Sequence, residues 1–159
     1  MKFLQKKITL LLLLIITFIL GYIRETTFLI INTVLRNYPF PYNQSYTKPP
    51  DFLYELSNNT LIIIKWAFTF AFSFMFMSLA ILICRIYFNN KQYTKILIVS
   101  YSLLFFVAFL ISVIGYLLNN FNSFYTISRA IVGMLQSPVP VITVFIVFYL
   151  AQHHKEKYK

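Results

Sequence analysis

Between Ile96 and Leu118 the chain runs without a single charged residue. An α-helix crosses the roughly 30 Å hydrocarbon core of a bilayer in about 20 residues, so this one stretch already has the length of a membrane span. Three further segments approach that length: Ile8 to about Ile23, Leu61 to about Cys84, and a less regular one from about Ala130 to Ala151. Composition agrees, because 59% of the 159 residues are hydrophobic and only 11% are charged, where soluble domains carry about 25% charge. The expectation is an all-α, four-span transmembrane helical bundle, a single integral membrane domain over residues 1–159.

Each span has a feature that tests this expectation. The first follows Lys2, Lys6 and Lys7 like a secretory signal, but no small-x-small cleavage site follows in the residues up to Arg24, so it is expected to stay as an anchor. Beyond Arg24 and Glu25 the apolar pattern resumes from Phe28 to Leu35, and the chain there either extends the helix or turns along the interface; the outer loop is taken as 24–60. In the second span, Phe68 to Phe76 alternates with the period of a strand. An isolated alternating stretch inside a long apolar run without turn signals favours a helix over a barrel strand. In the fourth, Pro138 and Pro140 interrupt the run, and a span starting at Val139 would keep only about 13 residues, too few to cross. The preferred geometry is a helix that starts before the prolines and is kinked by them, with a re-entrant segment as the competitor.

The basic residues orient the bundle. Lys2, Lys6 and Lys7 precede span one, Arg85, Lys91 and Lys95 separate spans two and three, and Lys155, Lys157 and Lys159 close the chain. Basic flanks of short loops stay cytoplasmic, which together with the even number of spans puts both termini inside a bacterial inner membrane. The formal net charge of +10 also raises a nucleic-acid partner. Its confinement to the ends of apolar runs, rather than to one soluble face, argues for lipids as the partner instead. The stretch from Asn37 to Pro50 interleaves aromatics with prolines and reads as an extended outer connection near the headgroups.

Charged residues near the outer ends of spans supply the candidate site. At 1.5 Å per helical residue, Arg24 and Glu25 lie ~25 Å, Lys65 ~30 Å and Arg129 ~33 Å from the inner ends of their spans, near one outer plane. One acid among three bases leaves a cationic excess there, suited to a lipid phosphate, a peptide carboxylate or an acidic segment of a partner. Small residues mark candidate packing seams: Ala108, Ser112 and Gly115 on one face of span three, and Ala67 with Ala71, or Thr69 with Ser73, on span two. The same spacing serves a partner subunit equally well.

Several chemistries lack their residues. No Asp or Glu sits at the centre of a span, which disfavours proton-coupled transport. Cys84, the only thiol, lies at an inner helix end, and His153 and His154 stand in the tail, so no nucleophile has an activating base beside it. No cofactor or metal site is expected, and the chain reads as a noncatalytic protein.

Arg24-Glu25 with Phe28 and Asn32, then Phe124-Tyr125 before Arg129, and Gln136-Ser137-Pro138 leading into Phe148-Tyr149-Leu150-Ala151-Gln152 together resemble the small exosortase-associated membrane proteins of Bacteroidetes. The resemblance implies an accessory inner-membrane protein beside an exosortase, a multi-span cysteine transpeptidase that processes carboxyl-terminal sorting signals. The chain is not similar to the exosortase itself, which needs cysteine, arginine and histidine at the outer face. The alternative expectation is a small oligomeric transporter or channel subunit.

Overall fold

A computed structural model describes residues 3–38 and 47–157. Among them the chain is helical, with α1 at Phe3–Leu35, α2 at Asn58–Phe88, α3 at Lys91–Leu117, α4 at Phe121–Leu135 and α5 at Pro138–Lys157. A short 3-10 turn at Asp51–Leu53 lies in the connection between α1 and α2. The alternating phenylalanines of 68–76 sit on α2 as helix. α1, α2 and α3 are each long and apolar enough to cross a membrane, and α4 with α5 makes a fourth candidate crossing bent by 60°. The chain is a multi-pass membrane protein in this sense, and its exposed surface is correspondingly rich in Leu, Ile, Val and Phe.

Asparagine punctuates the helices. Asn37, Asn89 and Asn119 all take positive φ, near 50°, at the ends of α1, α2 and α3. Their short polar side chains tolerate this left-handed backbone better than other non-glycine residues do. After α1 and α3 the chain closes in the Schellman pattern, Tyr38 N–H donating to Thr33 O at 3.2 Å and Asn120 N–H to Gly115 O at 3.0 Å. Between α2 and α3, Asn89 ends one helix and Asn90 starts the next, its side chain accepting from Gln92 N–H at 2.8 Å.

Antiparallel packing fixes the topology. Phe28 meets Phe72 with ring centroids 6.0 Å apart, and Lys65 reaches Asn32, so α2 descends beside the rising α1. α4 lies chiefly along α3, with Ser128 donating to Ala108 O at 2.8 Å. α5 then continues to the α2–α3 turn, where Phe148 stacks on Tyr93 at 4.4 Å and Phe145 meets Tyr87 at 5.0 Å. Hence α4 and α5 together run from one end of the bundle to the other: a broken span rather than a re-entrant one. The start of α1, the α2–α3 turn and the end of α5 share an end, and the α1–α2 and α3–α4 connections share the opposite one.

Two expectations need correcting. Residues 24–35 continue α1 as helix, so the outer connection begins at Arg36, not at 24; of the apolar pattern of 28–35, Phe28 packs against Phe72 of α2 and Val34 clusters with Leu61 of α2 and Leu53, instead of lying on the interface. Pro138 and Pro140 do not kink a continuous helix. They stand in the first turn of α5, where a missing N–H costs nothing, while Ser137 accepts from Val139 N–H at 3.4 Å. Ala67 and Ala71 are exposed, whereas the other pair read on that span, Thr69 and Ser73, lies toward the inward face of α2 that carries Phe72 and Phe76. Ala108, Ser112 and Gly115 do form a seam, against α4: Ser112 Oγ donates to Ser128 Oγ at 2.8 Å, and a Cβ added at Gly115 would fall inside the Phe124 side chain. Within the aromatic and proline stretch of the outer connection, residues 39–46 lie outside the described residues.

Candidate functional site

Continuation of α1 past Glu25 aligns Arg24, Phe28, Asn32 and Arg36 at intervals of four along one stripe. That stripe faces Lys65, Trp66 and Thr69 of α2 and Tyr125, Arg129 and Gln136 of α4, and the three helices enclose a cavity of about 510 Å³. Its lining includes Arg36 and Tyr38 after α1 and Ile62 near the start of α2, so it lies toward the connection end of the bundle. Counting about 20 residues up α1 from Lys7 and back along α2 from Arg85 brings the edge of the hydrocarbon core to the level of Phe28 and Lys65, so the cavity straddles that edge.

Arg24 occupies the deepest cationic position. One guanidinium nitrogen donates to Glu25 Oε2 at 2.7 Å, the face covers the Phe28 ring at 5.0 Å, and Nε and the second terminal nitrogen reach Gln136 Oε1 at 3.4 Å. The last two contacts are long for hydrogen bonds, so Glu25 is the main partner. Gly133 lies beside this guanidinium, where an added Cβ would stand in ordinary van der Waals contact at 3.4 Å.

Gln136 is the floor of the site. Its side chain is only 2% exposed and spends its amide N–H groups on Thr69 O at 2.7 Å and Ser73 Oγ at 2.8 Å. Ser73 in turn donates to Thr69 O at 2.7 Å, so each polar atom in this buried corner is satisfied. The break between α4 and α5 follows directly after Gln136, and the amide thereby joins α1, α2 and the broken span at one point.

The remaining cations are less well matched. Lys65 Nζ donates to the neutral amide oxygen of Asn32 at 2.7 Å. The Arg36 guanidinium lies over the Tyr38 ring at 6.0 Å, and the Arg129 guanidinium makes neither hydrogen bond nor ion pair among the described residues. Four cations against one carboxylate leave a formal excess of three positive charges around the cavity. The nearby connection differs: Lys48 pairs with Asp51 at 2.8 Å on the open surface, and that hydrogen bond holds the Lys48 ammonium above its ordinary pKa.

The four residues read from sequence as the outer-face site, Arg24, Glu25, Lys65 and Arg129, all line this one cavity. Sequence reasoning missed Arg36 and the roles of Asn32 and Gln136. Their signal was the four-residue spacing on a segment whose helical continuation the sequence left open, and an amide just ahead of two prolines. Cys84 is buried at the opposite end of α2, and His153 contacts Tyr149 on α5 at 3.1 Å. Among the described residues no three His, Cys, Asp or Glu side chains come together as metal ligands. No protein-family model, curated protein or solved structure matches this chain.

Proposed function

We propose that this chain is a noncatalytic accessory protein of the bacterial inner membrane that works beside a protein-sorting enzyme of the exosortase type, receiving an anionic group in its cavity. The observation that carries the reading is the charge imbalance of that cavity, four cations and one carboxylate held by three helices at the edge of the hydrocarbon core. Unpaired cations at that depth are costly for a structure to keep and mark a place for a negative group. In support, Arg24, Glu25, Phe28, Asn32, Tyr125, Arg129 and Gln136, distant in sequence and all part of the resemblance to exosortase-associated proteins, line the same cavity. The basic residues that favour a cytoplasmic location flank the start of α1, the α2–α3 turn and the end of α5, which turns the cavity to the outer side.

The test is recovery of the tagged chain from its native membrane in mild detergent, with mass spectrometry of what stays bound. The expected result is a multi-span enzyme in constant proportion, lost with Arg129→Glu, whose exposed side chain makes no hydrogen bond or ion pair among the described residues. Recovery of the chain alone, or only with copies of itself, overturns the accessory reading and favours an oligomeric transporter or channel.

A further inference from the structure

The cations of the cavity have unequal standing. Arg24 is satisfied within the protein by Glu25 and Gln136. Lys65, Arg36 and Arg129 have no carboxylate partner among the described residues, and all three border the same space of about 510 Å³. Lys65 is half-buried while Arg36 and Arg129 are exposed, and their like charges repel across the shared space, so the free cavity is electrostatically incomplete.

We propose that the cavity binds a phosphate group bearing two or more negative charges, a phosphomonoester or a diphosphate, with Lys65, Arg36 and Arg129 as its ligands. The inference rests on the reading that the cavity receives an anion, and is independent of which enzyme the chain accompanies. Charge number selects the class. A carboxylate or a phosphodiester brings one negative charge to three unmatched cations, whereas a phosphomonoester brings about two at neutral pH and a diphosphate more. Donor chemistry points the same way, since guanidinium forks suit adjacent phosphate oxygens and the lysine adds a point charge.

The walls bear on the source of the phosphate. Phe28, Leu29, Ile62 and Val132 give the same cavity an apolar side. Exposed Trp66 and Phe70, ring centroids 6.4 Å apart, continue it down the outer surface of α2 into the hydrocarbon core, where an acyl or prenyl chain attached to the phosphate would lie. A free phosphate would use the cationic ligands and leave that wall unused.

Trp66 is the single tryptophan of the chain and lines the cavity, so its emission reports occupancy. The full-length protein in detergent micelles is titrated with dioleoyl phosphatidic acid, dioleoyl phosphatidylglycerol, dioleoyl phosphatidylcholine and, separately, inorganic pyrophosphate. Phosphatidic acid is expected to give a saturable change that phosphatidylcholine does not, with affinity weakened about ten-fold or more in the double variant Arg36→Gln/Arg129→Gln. Arg129→Lys should retain most of it. Arg85→Gln, which removes a cation at the opposite end, should leave it unchanged, and unaltered helical circular dichroism certifies each variant as folded. A matching response to pyrophosphate identifies free phosphate as a source; saturation by the lipid with pyrophosphate silent ties recognition to a lipid-borne phosphate. The proposal is overturned if neither probe saturates, if phosphatidylglycerol binds as tightly as phosphatidic acid, or if Arg85→Gln weakens binding equally. Failure here together with saturable binding of a peptide through its terminal carboxylate leaves the accessory reading standing.

Discussion

Gln136 carries more of the site than any charged residue, because its amide ties the end of α4 to both α1 and α2. Gln136→Leu keeps the volume but strands the Arg24 guanidinium on Glu25 and removes the donors to Thr69 O and Ser73 Oγ. Leaving buried polar groups unsatisfied costs about 1–3 kcal/mol, so unfolding in graded dodecyl sulfate, followed by helical circular dichroism, should show a loss of about 2 kcal/mol. Ser73→Ala, which removes one donor-acceptor group and leaves Gln136 its bond to Thr69, should lose about half as much. An unchanged midpoint for Gln136→Leu would mean that the corner is wetter than its geometry implies. At this scale the sequence exposed the charges and hid the amide. A charge within an apolar run is conspicuous because lipid penalises it, which is why Arg24, Glu25, Lys65 and Arg129 were legible. A glutamine beside two prolines has no such contrast, and its partners, a backbone carbonyl and a serine more than 60 positions away, leave no local pattern.

The elements show the same division between what is local and what is not. The second and third spans were legible to within a few residues, since continuous apolarity is itself the signal. The end of α1 was left open: after Arg24 and Glu25 the sequence allowed either a continued helix or a turn along the interface, and because the two pair with each other beside a cavity, the helix has no reason to stop there. The prolines were read as a kink because proline disrupts helix interiors, whereas here they begin a helix. The two roles predict different energetics. Pro138→Ala should change stability by less than about 1 kcal/mol, since no backbone bond is at stake in a first turn. Val144→Pro, inside α5, should cost about 3 kcal/mol in the same unfolding titration. Equal effects would mean that Pro138 lies within a continuous helix. The α3–α4 seam is similarly specific. Gly115→Ala forces the Cβ of residue 115 against Phe124, and separating two close-packed helices should cost about 1–3 kcal/mol, partly recovered when Phe124→Ala is added.

At the scale of the whole molecule, the broken span decides which connections share a side. α4 is 15 residues long and α5 is 20, or about 22 and 30 Å, so neither the 60° bend nor the lengths alone distinguish a crossing from a segment that dips in and returns. Contacts at the two ends do: Gly115 against Phe124 at one, Phe148 against Tyr93 at the other. Sequence reasoning had to leave this open, because prolines report a local backbone constraint and not the direction in which the chain leaves it. Single cysteines at exposed positions turn the packing into a measurement, in a Cys84→Ala background that removes the only native thiol. Glu55→Cys and Ser123→Cys stand at the connection end, Gln92→Cys and Gln152→Cys at the end holding the termini. A membrane-impermeant maleimide should label the first pair in intact cells and the second pair only after permeabilisation. If Gln152→Cys labels together with Ser123→Cys while Gln92→Cys stays protected, α4 and α5 re-enter from the outer side and the chain crosses three times. If the two pairs exchange behaviour as sets, the bundle stands but its orientation reverses, and the cationic cavity then faces the cytoplasm, where a sorting enzyme acting at the outer face is out of its reach.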